Sequence, residues 1–118
     1  MLVVEDDAGL RLALEHGLAA EGFTVEAVGD ADSACARLSD SRHAVVLLDW
    51  GLPDGDGGTA ACRRLRSLHP EGHIVMLTGR SDPRDEQAAL AAGARAFLTK
   101  GIDLGDLAAQ LRQLLRTG

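Results

Sequence analysis

Short apolar runs alternate along the chain with segments of helical spacing, and the alternation occurs five times. Leu2, Val3 and Val4 read as a strand that stops at Glu5, Asp6 and Asp7. Leu10, Ala13, Leu14, Gly17 and Leu18 then recur at helical intervals, which predicts a helix over residues 8–21, capped by Asp7 and closed by Gly22. The β-branched alternation over 24–28 predicts a second strand, and Gly29, Asp30 and Asp32 open a short helix carrying Ala34 and Leu38. Val45, Val46, Leu47 and Leu48 are apolar without alternation, as in a strand covered on both faces of a parallel sheet, and the run ends in Asp49. Gly51, Pro53, Gly55, Gly57 and Gly58 cannot extend that strand and require a tight loop before a helix over 59–68, which Pro70 and Gly72 stop. A fourth strand over 74–77 leads to Thr78 and Gly79, and Asp82 with Pro83 starts an alanine-rich helix that closes at Gly93. A fifth strand over 96–99 is followed by Lys100, and Leu104, Leu107, Ala108, Leu111, Leu114 and Leu115 mark a last amphipathic helix.

Strand and helix alternate with no linker or low-complexity tract between them. The pattern predicts an α/β fold in which residues 1–118 form one domain, a parallel sheet wrapped by helices on both faces. Ligands of such sheets bind outside the carboxyl ends of the strands. That edge receives Glu5, Asp6 and Asp7 from the first strand, Asp49 from the third, Thr78 from the fourth and Lys100 from the fifth. Taken singly these residues are ordinary: strand-end acids cap helices, a lysine is solvated, and a threonine satisfies a loop. Gathered on one edge they imply more. Carboxylates from neighbouring strands raise each other's pKa unless a cation lies between them, and an oxygen-only site suits Mg²⁺. With Mg²⁺ and Lys100 holding phosphoryl oxygens and the Thr78 hydroxyl donating to another, a carboxylate can attack phosphorus and form an acyl phosphate. Asp49 is the best placed, because its glycine-rich loop leaves room for an incoming group.

Composition narrows the partners. A net charge of −6 argues against direct binding of nucleic acid, and Phe23, Trp50 and Phe97 are too few aromatics for a base-stacking platform. No apolar run approaches the roughly 20 residues that a membrane span takes. Cys35 and Cys62 lack C-x-x-C spacing and no secretory signal precedes them, so a reduced, cytoplasmic setting is expected, with both thiols as core or helix-face residues. His16, His43, His69 and His73 show no metal-ligand spacing and read as surface residues.

Four segments carry a resemblance: Leu2-Val3-Val4-Glu5-Asp6-Asp7, Val46-Leu47-Leu48-Asp49-Trp50-Gly51-Leu52-Pro53-Asp54-Gly55-Asp56-Gly57, Ile74-Val75-Met76-Leu77-Thr78, and Gly93-Ala94 with Phe97-Leu98-Thr99-Lys100. In order and spacing they resemble the receiver domain of two-component response regulators, of the chemotaxis-regulator-like kind, over essentially the whole chain. The resemblance implies a flavodoxin-like, doubly wound sheet of five parallel strands in the order 2-1-3-4-5 with five helices. It also implies a signalling switch, not an enzyme with a separate substrate, whose only catalysis is its own phosphorylation and dephosphorylation. By resemblance Asp49 accepts a phosphoryl group from a sensor histidine kinase, Asp6 binds Mg²⁺ (or Mn²⁺) directly, and Glu5 acts mainly through water. Asp49 and the Gly51 carbonyl complete that ligand set, Lys100 and Thr78 serve the phosphoryl group, and Thr78 with Phe97 forms a switch pair. The loop after Asp49 and the final Leu111-Arg112-Gln113-Leu114-Leu115-Arg116 resemble receivers that precede winged-helix DNA-binding domains, which implies an output, transcription, outside this chain, with a single-domain regulator or a hybrid-kinase receiver as the alternatives. Phosphorylation is then expected to shift the face formed by the fourth helix, fifth strand and fifth helix, with the alanine-rich helix as its mobile part and a homodimer through that face as the pairing such receivers offer.

Four positions depart from the family pattern. Gly101 stands where the family usually has a proline, often cis. A cis bond without proline costs about 2.5–4 kcal/mol, so the Lys100–Gly101 bond is expected to be trans. Gly79 stands where alanine is common, and Arg95 and Ala96 stand where winged-helix receivers often carry acids. Two competing functions lose on single residues. Aspartate-nucleophile phosphatases and dehalogenases place a second Asp two residues after the first, where this chain has Gly51. Flavodoxin-type flavin carriers need a hydroxyl- and glycine-rich loop after the first strand, where this chain has three acids. Asp54 and Asp56 lack the further ligands and closing Glu of a calcium loop.

Overall fold

The computed structural model describes residues 1–40, 43–51, 58–79 and 82–117. The strands β1 (Leu2–Val4), β2 (Glu26–Val28), β3 (Val45–Asp49), β4 (His73–Thr78) and β5 (Ala96–Thr99) alternate with the helices α1 (Ala8–Ala20), α2 (Ala31–Asp40), α3 (Gly58–Leu68), α4 (Pro83–Ala91) and α5 (Leu104–Thr117). All pairings are parallel, in the expected order β2-β1-β3-β4-β5. β2 is shorter than its alternation predicts. β1 has only three residues and pairs from Leu2 with Glu26, so Thr24 has no ladder partner; its carbonyl accepts from the Met1 amine at 2.8 Å.

The sheet divides the core in two. Leu2, Val4, Val46, Leu48, Ile74 and Met76 pack with residues of α2, α3 and α4, among them Leu38, Leu65 and Ala89. Val3, Val45, Leu47, Val75 and Leu77 pack with Leu14 and Leu18 of α1 and Leu107, Ala108 and Leu111 of α5. Burial on both faces is why the central strands read as unbroken apolar runs. Aspartates start α1, α2 and α4: Asp7 Oδ1 accepts from Leu10 N at 2.9 Å, Asp30 Oδ1 from Ser33 N at 2.7 Å and Asp82 Oδ1 from Arg84 N at 2.9 Å. Gly22 and Gly93, with φ of 99° and 110°, end α1 and α4 where expected. No cis peptide occurs among the described residues, so Lys100–Gly101 is trans, as its missing proline implied. No helix among them is long and apolar enough to cross a membrane. The loop expected over 52–57, with Pro53, Asp54 and Asp56, lies outside the described residues.

Cys62 is fully buried and Cys35 packs beside the same cluster, both as free thiols. The histidines need a correction. His16 is exposed, but the His43 side chain is only 11% exposed and its Nε2 lies 3.0 Å from Glu26 Oε1, while Arg37 Nε takes Glu26 Oε2 at 3.1 Å. His69 is also half-buried, its Nε2 bonded to the His43 carbonyl. The turns before β3 and β4 meet only in the folded chain, so spacing along the sequence could not reveal this cluster.

Burial holds the imidazoles of both His43 and His73 below their ordinary pKa; at His43 the neighbouring amino terminus adds to this, against the pull of Glu26. The unfolded chain therefore binds more protons than the folded one just below the free imidazole value, and stability there rises with pH. The urea midpoint is expected to fall from about pH 7.5 to about pH 5.5, across the free imidazole value of about 6.5. In a His43→Gln, His73→Gln double variant most of that slope should vanish; an unchanged slope would contradict the assignment.

Candidate functional site

Among the described residues, the buried polar or charged side chains are Glu5, Asp49 and Thr78, at 1%, 3% and 4% exposure. All three stand at the carboxyl edge of adjacent strands. Val4 pairs with Leu48, so the residues that follow, Glu5 and Asp49, leave the sheet side by side. Asp49 pairs with Leu77, and Thr78 comes one residue later. Lys100 is delivered by β5, which pairs Thr78 with Thr99, and its N–H donates to the Thr78 carbonyl at 2.6 Å.

The Lys100 ammonium lies between the two buried acids, 3.0 Å from Asp49 Oδ1 and 3.1 Å from Glu5 Oε1. Gly51 N–H donates to Asp49 Oδ1 at 3.0 Å, and Asp7 N–H donates to Glu5 Oε2 at 3.1 Å. Glu5 Oε1 is different. It is buried without a hydrogen-bond donor among the described residues, so it meets Lys100 as an ion pair only, and a lone pair stays open. Asp6 is exposed and completes the group: one oxygen each from Glu5, Asp6 and Asp49 lie within 4.8 Å of one another.

The charges do not balance. Three carboxylates face one ammonium, which leaves the cluster two charges short of neutral. Burial raises the Glu5 pKa, and the Asp7 N–H and Lys100 offset it only in part, with the Asp49 charge adding to the rise. Burial also pushes Asp49 upward, but there the Lys100 ammonium and the Gly51 N–H outweigh it and hold the carboxyl below its usual range. Lys100 is held above its usual value by Asp49 and Glu5, which outweigh its own partial burial. Asp49 is thus the anion of the pair, and Glu5 takes up the first proton. An oxygen-only donor set with a charge deficit of two and an open lone pair fits a hard divalent cation.

Trp50, next to Asp49, is held through its backbone. Trp50 N–H donates to the Leu77 carbonyl at 2.7 Å, and Gly58 N–H donates to the Trp50 carbonyl at 3.0 Å. A Cβ on Gly58 would lie 2.8 Å from that carbonyl oxygen and 2.9 Å from Trp50 Cα, so only glycine lets α3 start this close to the site. The Trp50 ring meets Phe97 of β5 edge to face, with centroids 5.5 Å apart and planes at 80°. Among the residues singled out from the sequence, Glu5, Asp6, Asp49, Gly51 and Lys100 converge, and Thr78 is buried beside them. Phe97 lies instead against Trp50. That ring contact and the Asp7 amide were missed, because neither an aromatic after a strand nor a backbone N–H carries a signal of its own.

A model of the family described as response regulator receiver domain matches residues 1–112. The two-component response regulator PhoP of Pseudomonas aeruginosa is 40% identical over 116 residues, which are 98% of this chain and 51% of that protein. The transcriptional regulatory protein TcrA of Mycobacterium tuberculosis is 39% identical over 118 residues, 100% of this chain and 46% of that protein. The chain thus spans about half the length of the curated relatives it matches. A CheY-like receiver domain from Methanospirillum hungatei superimposes with a TM-score of 0.91 at 28% identity, covering 98% of this chain and 92% of that one.

Lys100→Met is expected to raise the pKa of both Asp49 and Glu5, since its ammonium lowers each. Side-chain ¹³C titration of the metal-free protein should show Glu5 titrating above Asp49 in the wild type and both midpoints higher in the variant. Unmoved midpoints would remove Lys100 from the site.

Proposed function

The chain belongs to the response regulator receiver domains, and from that premise we propose that Asp49 accepts a phosphoryl group from the phosphohistidine of a sensor histidine kinase, in a reaction that depends on Mg²⁺ or Mn²⁺. The observation that carries this proposal is the Lys100 ammonium held 3.0 Å from Asp49 Oδ1 within a cluster of three carboxylates. Held as the carboxylate, Asp49 needs no general base. Its oxygen attacks phosphorus, the nitrogen–phosphorus bond of the donor breaks, and the imidazole leaves with the electron pair and is protonated from solvent. The product on Asp49 is an acyl phosphate, which water later hydrolyses to release inorganic phosphate.

Each neighbouring group has a part. Lys100 exchanges a carboxylate oxygen for a phosphoryl oxygen, and the Thr78 hydroxyl at the end of β4 donates to another. Glu5, Asp6, Asp49 and the Gly51 carbonyl would hold the cation, which when bound neutralises charge on the phosphoryl oxygens. Thr78 turning toward the phosphoryl group frees space that Phe97 enters, and the Trp50 edge contact has to give way for it. α4 reaches the core through Ala89 while its Leu90 is 47% exposed, so it is the shallow element able to shift.

The output is transcription, exerted through a DNA-binding domain outside this chain. Support comes from a relative named as a transcriptional regulator, of which this chain covers 46%, and from a net charge of −6 that ill suits this domain to nucleic acid. Exposed Leu90 and Leu115, at 47% and 39%, support a homodimer through the α4, β5 and α5 face. The unpaired Cys35 and Cys62 support a cytoplasmic setting. An aspartate-nucleophile phosphatase is disfavoured, because Gly51 offers Asp49 a backbone N–H where that chemistry takes a second carboxylate.

Acetyl phosphate with Mg²⁺ should give one acid-stable, base-labile phosphoryl adduct by intact-protein mass spectrometry, absent from Asp49→Asn; an adduct of undiminished yield in that variant would refute the assignment. In amide exchange, Mg²⁺ with beryllofluoride should change protection in α4, β5 and α5. Changes confined to the residues around Asp49 would rule out the switch while leaving the phosphoacceptor in place.

A further inference from the structure

Arg11 stands near the start of α1, and its guanidinium turns back to the carboxyl edge of the sheet, where Nη1 donates to the Glu5 carbonyl at 2.9 Å. A Cβ on Gly29, just past β2, would lie 3.0 Å from that same nitrogen, so the guanidinium occupies the space that a larger residue there would take. The Glu5 segment is consequently held at three points. Its N–H donates to the Val28 carbonyl at 3.0 Å, its carbonyl accepts from Arg11, and its side-chain Oε2 accepts from Asp7 N–H at 3.1 Å. The Glu5 carbonyl belongs to the peptide unit that carries Asp6. Because that unit is planar, fixing its oxygen fixes the direction from which the Asp6 backbone proceeds.

Building on the cation site proposed above, we propose that Arg11 is a positioning residue for the divalent cation. It touches neither the cation nor the phosphoryl group; it holds the Glu5–Asp6 peptide in the orientation that brings the carboxylates of Glu5, Asp6 and Asp49 within 4.8 Å of one another. The sign of the effect separates this role from two simpler ones. A positive charge beside the site repels a cation, so by charge alone the loss of Arg11 would tighten Mg²⁺ binding. A purely structural anchor would lower stability and leave the affinity of the folded site alone. Positioning predicts weaker binding at unchanged stability.

The test is a Mg²⁺ titration of the whole chain, followed by calorimetry and by the fluorescence of Trp50, the neighbour of Asp49, with a urea midpoint for each variant. Arg11→Gln should raise the Mg²⁺ dissociation constant about ten-fold, the low end of what loss of a group supporting metal ligands brings. Arg11→Lys, which keeps one donor and the charge, should recover part of it. In the cation-free Arg11→Gln protein, the Asp6 and Asp7 amide resonances should move. A dissociation constant for Arg11→Gln within two-fold of wild type, or a tighter one, overturns the proposal. A wild-type chain with no saturable Mg²⁺ response overturns the cation site itself and this inference with it, an outcome plainly different from a wild type that binds and a variant that binds equally.

Discussion

The Lys100 ammonium between Asp49 and Glu5 is the contact on which the rest of the site depends. Taking a carboxylate out of water costs several kcal/mol per ion, and two side by side repel each other as well. One ammonium is shared between them, and the division is uneven: Asp49, which also receives the Gly51 N–H, stays ionised, and Glu5 does not reach its ordinary acidity. The asymmetry sets the chemistry. Asp49 is held as an anion, and Glu5 beside it carries a buried oxygen with no hydrogen bond among the described residues.

That contact exists only because the sheet is ordered as it is. β1 and β3 are neighbours, which sets Glu5 beside Asp49; β5 lies beyond β4, so Lys100 reaches back across the end of β4, past Thr78. Its backbone N–H bond to the Thr78 carbonyl fixes where that reach begins. No proline is needed to direct the lysine, since the trans Lys100–Gly101 peptide accompanies an ammonium already at 3.0 Å from its acid.

The two faces of the sheet are held differently. On the α1 and α5 side, Arg112 donates to the Glu21 carbonyl and side chain and lies 5.5 Å over the Phe23 ring, closing the far end of α1 against α5. On the other side, among the described residues, the carboxyl end of α4 is fastened by α3. There Arg66 of α3 donates to the Gly93 carbonyl at 2.6 Å while also holding those of Pro70 and Gly72, and Cys62 Sγ donates to the Ala92 carbonyl at 3.5 Å. The amino end of α4, begun by Asp82 and Pro83, follows the carboxyl end of β4. In the switch proposed above, α4, with its small buried face, is the element that moves when that edge changes charge.

Five apolar runs, each with its helix-starting aspartate or stopping glycine, determined by themselves the element order, the parallel sheet and the edge that holds the acids, because hydrophobic periodicity and capping act over a few residues and are written locally. Asp49 and Lys100 were legible for the same reason, as polar residues at the ends of apolar strands. Tertiary structure alone decided the rest. Spacing could not show that His43 and His69 are drawn into one partly buried cluster, that the Trp50 ring meets Phe97, that β2 begins only at Glu26, or that Glu5 and not Asp49 takes up the first proton. Each of these depends on strand register or on how far a group is taken out of water. Register and burial are properties of neighbours distant along the chain, and a one-dimensional pattern does not contain them.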